Sequence, residues 1–131
     1  MRAFIVELEN RPGSLAAVAE AIGAAGINID GVAGLAMGSS GAVAVITGDE
    51  AATRRALDAG SFTYRDVRLV TAALDNQPGT LAAAAKRLAD AGVNVELLTP
   101  TGMDGGKVTV AFGVDDAAAA RQALGDLATG G

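Results

Sequence analysis

The sequence contains no cysteine, no histidine and no tryptophan. Without cysteine there is no disulfide and no thiolate nucleophile, and without histidine the commonest general base and metal ligand is missing. No apolar run approaches the ~20 residues that a membrane-spanning helix needs. The remaining Ser, Lys and carboxylate residues show no spacing typical of a nucleophile and its base. We therefore expect a non-enzymatic protein with no catalytic residues, no metal site and no cofactor.

Basic and aromatic residues are also scarce. Lys and Arg number 10 against 15 Asp and Glu, the net charge is -5, and aromatic residues make up 3% of the chain. Phosphate backbones and anionic membranes bind clustered basic residues, and RNA-recognition sheets need aromatic stacking platforms. Neither nucleic acid nor membrane is therefore an expected partner. Glu7 comes too early for the apolar part of a signal peptide, which favours a cytoplasmic protein.

The chain repeats itself at a shift of 66 residues. The segment Asn10–Ala17 (Asn-Arg-Pro-Gly-Ser-Leu-Ala-Ala) falls on Asn76–Ala83 (Asn-Gln-Pro-Gly-Thr-Leu-Ala-Ala). Between Asn10 and Ile29, 10 of 20 positions are identical without a gap. Alanine-rich helices match by chance at some positions, but the Asn, Pro and Gly matches indicate a true internal repeat.

Each copy has the same order of predicted elements. A short buried strand is followed by Pro-Gly, by a helix with apolar residues at i, i+3, i+4 and i+7, and by a glycine that ends the helix. A second strand, a Gly-rich turn, a third strand and an Ala-rich second helix complete the copy. The predicted first strands are 2–8 and 68–74, and the predicted third strands are 42–47 and 108–114. The helices end at Gly26 and Gly92. Their apolar faces consist of Leu15, Val18, Ala19 and Ile22 in the first copy, and of Leu81, Ala84, Ala85 and Leu88 in the second.

Only the first copy contains a candidate fourth strand, Phe62–Asp66. The second copy stops at Ala128-Thr129-Gly130-Gly131, which is too short to predict one. The order strand–helix–strand, strand–helix–strand is that of a ferredoxin-like module. The predicted fold is therefore α+β, with two tandem ferredoxin-like βαββαβ modules of antiparallel sheet. They cover 1–66 and 67–131, and the second lacks its last strand.

The loop between the first strand and first helix is the best candidate site. Gly13 has no Cβ, so a ligand can approach its backbone, and the helix that follows presents unpaired N–H groups to an anion. The Asn10 amide both donates and accepts, which suits a zwitterion. The same Asn-x-Pro-Gly pattern also fits a simple turn before a helix. The repeated Asn28 and Asn94 favour a ligand site, because a turn does not require them.

Both copies resemble ACT domains, the amino-acid-binding regulatory modules attached to many enzymes of amino-acid metabolism. The resemblance is carried by Asn10–Leu15 with Gly26–Ile29, and by Asn76–Leu81 with Gly92–Val95. It implies a regulatory protein that binds an amino acid through the loop and the start of the second strand. The predicted contacts are Asn10, Pro12, Gly13, Ser14, Asn28 and Ile29 in the first copy, and Asn76, Gly79, Thr80, Asn94 and Val95 in the second.

Asn10 ends the first strand, whereas Asn28 begins the second. Between them a helix of roughly 16 Å returns the chain to the opposite end of the module. The two amides should therefore lie at opposite ends of one module, and a site would need a loop from one module and a strand from another. The missing last strand predicts an open sheet edge covered by a second chain, hence a homodimer. A metabolic enzyme or regulator is a further candidate partner. The alternative function is a ligand-free structural or docking module.

Overall fold

The computed structural model describes residues 1–130, so Gly131, the last residue of the predicted second module, lies outside the described part. The chain divides into two compact units, Arg2–Asp66 and a second that runs from Val67 onward and includes Met1. We call them module 1 and module 2. Among the described residues, no helix is both long and apolar enough to cross a membrane.

Module 1 contains four strands and two helices. The sheet order is β2–β3–β1–β4, and the β1–β3 and β2–β3 pairs are antiparallel. Seven buried apolar residues from the sheet and both helices form its core: Phe4, Val6, Val18, Ile22, Val43, Val45 and Leu57. The elements are β1 Arg2–Glu9, α1 Ser14–Ala24, β2 Ile29–Met37, β3 Ser40–Thr47, α2 Glu50–Ala59 and the first part of β4 Tyr64–Asp75.

Module 2 repeats this arrangement with β4 as its first strand. β5 pairs with β6, and β6 pairs with β4, in antiparallel ladders. The buried core is larger here and includes Val70, Leu88, Phe112 and Leu124. The elements are α3 Thr80–Asp90, β5 Val95–Asp104, β6 Lys107–Val114, α4 Ala117–Leu124, a 3₁₀ turn Gly125–Leu127 and β7 Ala128–Thr129. The ferredoxin-like βαββαβ prediction is confirmed in both modules.

The prediction that the second module lacks its last strand is wrong. Ala128 and Thr129 form the short strand β7, which pairs antiparallel with Ala72 and Thr71 of β4. The Thr71 hydroxyl donates to the Thr129 carbonyl at 2.9 Å, which ties the two strands together further. Leu69 also donates its N–H to the Met1 carbonyl. Both contacts cover the edge that we expected to be open, so this edge no longer argues for a homodimer.

The predicted strands 62–66 and 68–74 are one strand. β4 runs from Tyr64 to Asp75, and the boundary between the modules falls inside it, between Asp66 and Val67. Phe62 and Thr63 precede the strand, although the Thr63 carbonyl already accepts the Glu7 N–H of β1. Buried residues follow directly after the boundary, at Val67, Leu69 and Val70, and no turn residue interrupts the strand.

The first helix of each module buries a narrower face than the sequence predicts. Val18 and Ile22 of α1, and Ala84 and Leu88 of α3, are buried, but Leu15, Ala19, Leu81 and Ala85 are exposed. A helix that lies on a sheet contacts it mainly through residues four apart, so only one i, i+4 row reaches the core. Leu15 and Leu81 are therefore surface residues at matching positions.

Both first helices end as predicted, at a left-handed glycine. Gly26 has φ 75° and Gly92 has φ 73°. The following residue donates its N–H back into the last turn, from Ile27 to Ile22 and from Val93 to Leu88. This pattern directs the chain sharply into the second strand and fixes where Asn28 and Asn94 lie.

The outer strands of the two modules differ by one residue. β2 has one irregularity in its pairing with β3, between Ile29 and Gly31. β5 has an equivalent irregularity between Val95 and Leu97 and a second between Pro100 and Gly102. The extra residue of β5, which has 10 residues against 9 in β2, is absorbed in this second bulge.

Candidate functional site

The loop before the first helix has almost the same backbone geometry in both modules. The Asn10 N–H donates to the Ser39 carbonyl at 3.0 Å, and the Asn76 N–H donates to the Gly106 carbonyl at 3.0 Å. Gly13 has φ 91° and Gly79 has φ 88°, a conformation that favours glycine. The repeated motif therefore encodes a repeated backbone shape. The Asn N–H makes the same hydrogen bond in both modules, although the accepting residue differs.

The start of each first helix is left without a side-chain cap in the described structure. Gly13 and Gly79 occupy the N-cap positions, so no side-chain oxygen bonds the first N–H groups. Thr80 instead donates its hydroxyl to the carbonyls of Asp75 at 2.7 Å and Gln77 at 3.1 Å. Ser14 is half-buried. Uncapped N–H groups at the positive end of a helix dipole suit a carboxylate.

The loop asparagines differ in what their side chains do. Asn10 donates its Nδ2 to the carbonyl of Gly38 at 2.9 Å, and this bond ties the loop to the β2–β3 turn. Among the described contacts, the exposed Asn76 side chain has no hydrogen-bond partner. This bond holds the Asn10 side chain in place within module 1, and its Oδ1 can accept a hydrogen bond from a ligand.

The second pair of asparagines lies at the far end of the second strands. Asn28 directly precedes β2, and Asn10 is bonded to Gly38, which directly follows it. A strand of 9 residues spans about 30 Å, so Asn10 and Asn28 of module 1 cannot contact one small molecule. In module 2, the Asn94 backbone N–H donates to Asp115 Oδ1 at 3.0 Å, and Val95 pairs with Val114.

An acidic residue stands beside each of these asparagines. Asn28 donates its Nδ2 to Asp30 Oδ1 at 2.8 Å, and Glu96 occupies the matching position of module 2. A carboxylate here can attract the ammonium group of a zwitterion. Sequence reasoning did not include Asp30 in the site. The sequence does hold a signal for it, since an acidic residue follows Asn28 and Asn94 by two positions.

The predicted contacts of module 1 border two depressions on either side of the loop. An open groove of about 470 Å³ has polar groups from Asn10 and Ser14 and an apolar wall that includes Leu8, Leu15 and Val32. A larger, shallow depression of about 1240 Å³ borders Pro12, Gly13 and Ser14 instead. Neither depression reaches Asn28 or Ile29. Within module 1, then, the structure brings together Asn10 and Ser14 and leaves the strand residues apart.

A charged cluster supports module 1 away from the loop. Asp66 accepts from Arg2 and from Arg54, both at 3.0 Å. The hydrogen bond that Arg54 donates to Asp66 lowers the pKa of Asp66 and raises the pKa of Arg54. Tyr64 donates its hydroxyl to Asp58 at 2.6 Å, which raises the pKa of Tyr64. These contacts join α2 to β4 and bear on stability.

The described residues contain no group of three or more carboxylates, histidines or cysteines close enough to hold a metal ion. The chemistry available near the loop is therefore that of hydrogen bonding, helix-terminal charge and apolar contact. Such a set can bind a small polar molecule.

Residues 2–59 match the family model described as the ACT domain. A structure of a Bacteroides thetaiotaomicron protein is 22% identical, with 94% of this chain and 85% of that chain covered and a TM-score of 0.75. The ligand-free regulatory subunit of aspartate kinase from Thermus thermophilus is 19% identical, with 94% and 89% covered and a TM-score of 0.63. A structure of aspartokinase alpha and beta subunits is 20% identical, with 94% and 89% covered and a TM-score of 0.66. At these identities the likeness shows the fold. The search of curated proteins found no match.

Proposed function

Because residues 2–59 belong to the ACT domain family, we propose that this chain is a non-catalytic regulatory protein that binds a free amino acid. The ligand lies between the β1–α1 loop of one ACT-like module and the beginning of the second strand of another. The observation that carries the proposal is the position of Asn10 and Asn28 at opposite ends of β2.

The charges at the two ends of β2 match those of a zwitterion. The uncapped start of α1 behind Gly13 favours the carboxylate, and Asn10 adds an acceptor beside it. Asp30, held by Asn28, favours the ammonium group. A ligand that joins a loop to a strand thus has its negative end at a positive helix terminus and its positive end at a carboxylate. Ser14 and Ile29 complete the predicted contacts of module 1.

The groove beside Asn10 favours an aliphatic side chain on the ligand. Its wall includes Leu8, Leu15 and Val32, and Leu15 and Val32 are exposed. Contact with a branched aliphatic ligand would remove this apolar surface from water, and each Å² removed contributes about 25 cal/mol to the free energy of binding. Leucine, isoleucine or valine should therefore bind more tightly than serine or aspartate.

Calorimetry tests the proposal directly. A thermal-shift screen of the amino acids selects the ligand, and titration of that ligand and of its α-amide then tests the carboxylate contact. We expect the amide to bind at least tenfold more weakly. The alternative of a ligand-free structural module predicts no shift with any amino acid. Equal binding of acid and amide would contradict the helix-terminal contact.

Asn28→Ala should weaken binding by about 1–3 kcal/mol. The ligand loses its contact with the Asn28 amide, and Asp30 loses the hydrogen bond that holds its carboxylate. Gln122→Ala is the control, since Gln122 is an exposed amide on α4 and is not one of the predicted contacts. Unchanged affinity in Asn28→Ala would place the ligand elsewhere.

A further inference from the structure

The groove beside Asn10 lies on the face of the sheet that carries the helices. Its floor includes Val43, which belongs to the core of module 1, and Gly34, which pairs with Val43 from β2. Gly41 also lies on the floor, opposite Ala36. Gly34 and Gly41 have no side chain, and Ala36 has only a methyl group. The groove is therefore a space that small residues leave open above the sheet.

Module 2 carries larger residues at the matching positions. Strand pairing identifies these positions, because Gly34 lies opposite the core residue Val43 as Pro100 lies opposite the core residue Val110. At each position the residue of module 2 is the larger one: Leu98 against Val32, Pro100 against Gly34, Met103 against Ala36, and Val108 against Gly41. Val108 also packs against the module 2 core. The space that is open in module 1 is therefore narrowed in module 2 by that module's own side chains.

The charged residues of the groove neutralise each other. They are Glu9 and Arg11, and Arg11 Nε lies 2.7 Å from Glu9 Oε2. A charged ligand side chain would find no free opposite charge there, and its burial would cost free energy. Leu15 and Val32, in contrast, are 57% and 56% exposed and offer apolar surface. The groove thus favours a neutral aliphatic side chain.

We infer that Gly34 determines ligand specificity, because the space above it admits an aliphatic side chain of the size of leucine. The inference rests on the proposed function and adds to it the residue that sets the size limit. A Cβ on Gly34 would lie 3.8 Å from the Ala42 carbonyl oxygen and 3.9 Å from Val43 Cγ2, which are ordinary contacts. The backbone therefore does not require glycine at this position. Gly41 differs, since a Cβ there would lie only 3.0 Å from the Leu35 carbonyl oxygen.

Gly34→Val tests the inference, because the methyl groups of valine would fill the groove. Calorimetry gives the ratio of the affinities for leucine and alanine. This ratio should fall at least tenfold in Gly34→Val, since the side chain of alanine is too short to need the space. Ala33→Val is the matched control. Ala33 is the preceding residue of β2, so its side chain lies on the other face of the sheet, and the ratio should stay unchanged.

Circular dichroism establishes that both variants are folded before their affinities are compared. A folded Gly34→Val that keeps the original ratio would overturn the inference. An equal fall of the ratio in Ala33→Val would also overturn it, because that substitution leaves the groove open. Gly34→Ala gives a graded check, since a single methyl group should lower the ratio by less than valine does.

Isobutanol separates this inference from the proposed function, because it has the isobutyl group of leucine but neither carboxylate nor ammonium. In methyl NMR spectra it should shift the signals of Leu15 more than those of Leu81, the matching residue of module 2. Gly34→Val should abolish these shifts. If isobutanol behaves so and no amino acid binds, the groove is supported and the proposed function is contradicted. Equal shifts at Leu15 and Leu81 would overturn the inference even if leucine binds.

Discussion

Module 1 and module 2 hold the same loop, helix and turn by the same backbone bonds, but they surround them with different side chains. In module 1, Asn10 is bonded to Gly38, and the outer strand is regular and apolar. In module 2, the Asn76 side chain has no partner among the residues described, and the outer strand contains Pro100 and a second bulge. The difference teaches that a duplicated motif can keep its backbone shape while the side chains and the outer strand around it diverge.

The largest expected effects come from the two cores. Ile22 and Leu88 are fully buried at matching positions of α1 and α3. Ile22→Ala and Leu88→Ala should each reduce the free energy of unfolding by about 2–5 kcal/mol, because each leaves a cavity. Hydrogen exchange should show the loss of protection mainly in the module that carries the substitution. Equal loss in both modules from either variant would contradict their treatment as separate compact units.

The loop glycines allow backbone shape to be separated from ligand contact. Gly13→Ala and Gly79→Ala should each lower the free energy of unfolding by about 1–2 kcal/mol, since alanine is strained at positive φ. Neither added Cβ would meet another atom within 4 Å, so the two stability losses should be equal. Gly13→Ala should also weaken amino-acid binding more than Gly79→Ala does, because the apolar groove beside the loop is lined by residues of module 1. Thermal unfolding and calorimetry measure the two effects, and equal loss of binding in both variants would remove the distinction between the modules.

The smallest expected effect concerns Asp66, whose pKa is lowered first of all by the hydrogen bond from Arg54. A carboxyl group with a lowered folded-state pKa contributes stability above its unfolded pKa and loses it as the pH falls through the folded value. Asp66→Asn should therefore cost at most about 1 kcal/mol at pH 7, as expected for a partly exposed ion pair.

This cost should shrink below about pH 4, the ordinary range of a carboxyl group. Asp104→Asn, at the β5–β6 turn of module 2, serves as the control and should show little effect at either pH. Urea unfolding at pH 7 and at pH 3 makes the comparison. A stability difference that stays constant between the two pH values would show that the Asp66 charge contributes nothing.

The sequence predicted those features that depend on short segments. Gly26 and Gly92 ended their helices as expected, because a left-handed residue is a local requirement that glycine meets. The first strand, predicted at 2–8, is Arg2–Glu9, and the third, predicted at 42–47, is Ser40–Thr47, because short apolar runs indicate buried strands. The tandem ferredoxin-like order followed from the repeat.

Features that depend on distant contacts could not be predicted in this way. β7 has only two residues, too few for any periodic pattern, and it exists because Thr71 and Ala72 offer it a pairing edge. β4 was divided in two because the repeat boundary falls within it. The bond from Asn10 to Gly38 joins residues 28 apart, and only the fold brings them together. The hydrogen bond from Asn28 to Asp30 could not be predicted either, because it depends on how the strand begins.

Pro100 has a consequence for how large an assembly can grow. A contact between identical strands is symmetric, so each one uses up the surface that makes it. A chain with two such edges would join neighbours at both, and the chains would extend into a filament without end. Pro100 gives β5 a residue that cannot donate a hydrogen bond, beside a break in its pairing, so β5 is a poor edge for such growth. One imino acid thus guards one of the two edges through which a filament would have to grow.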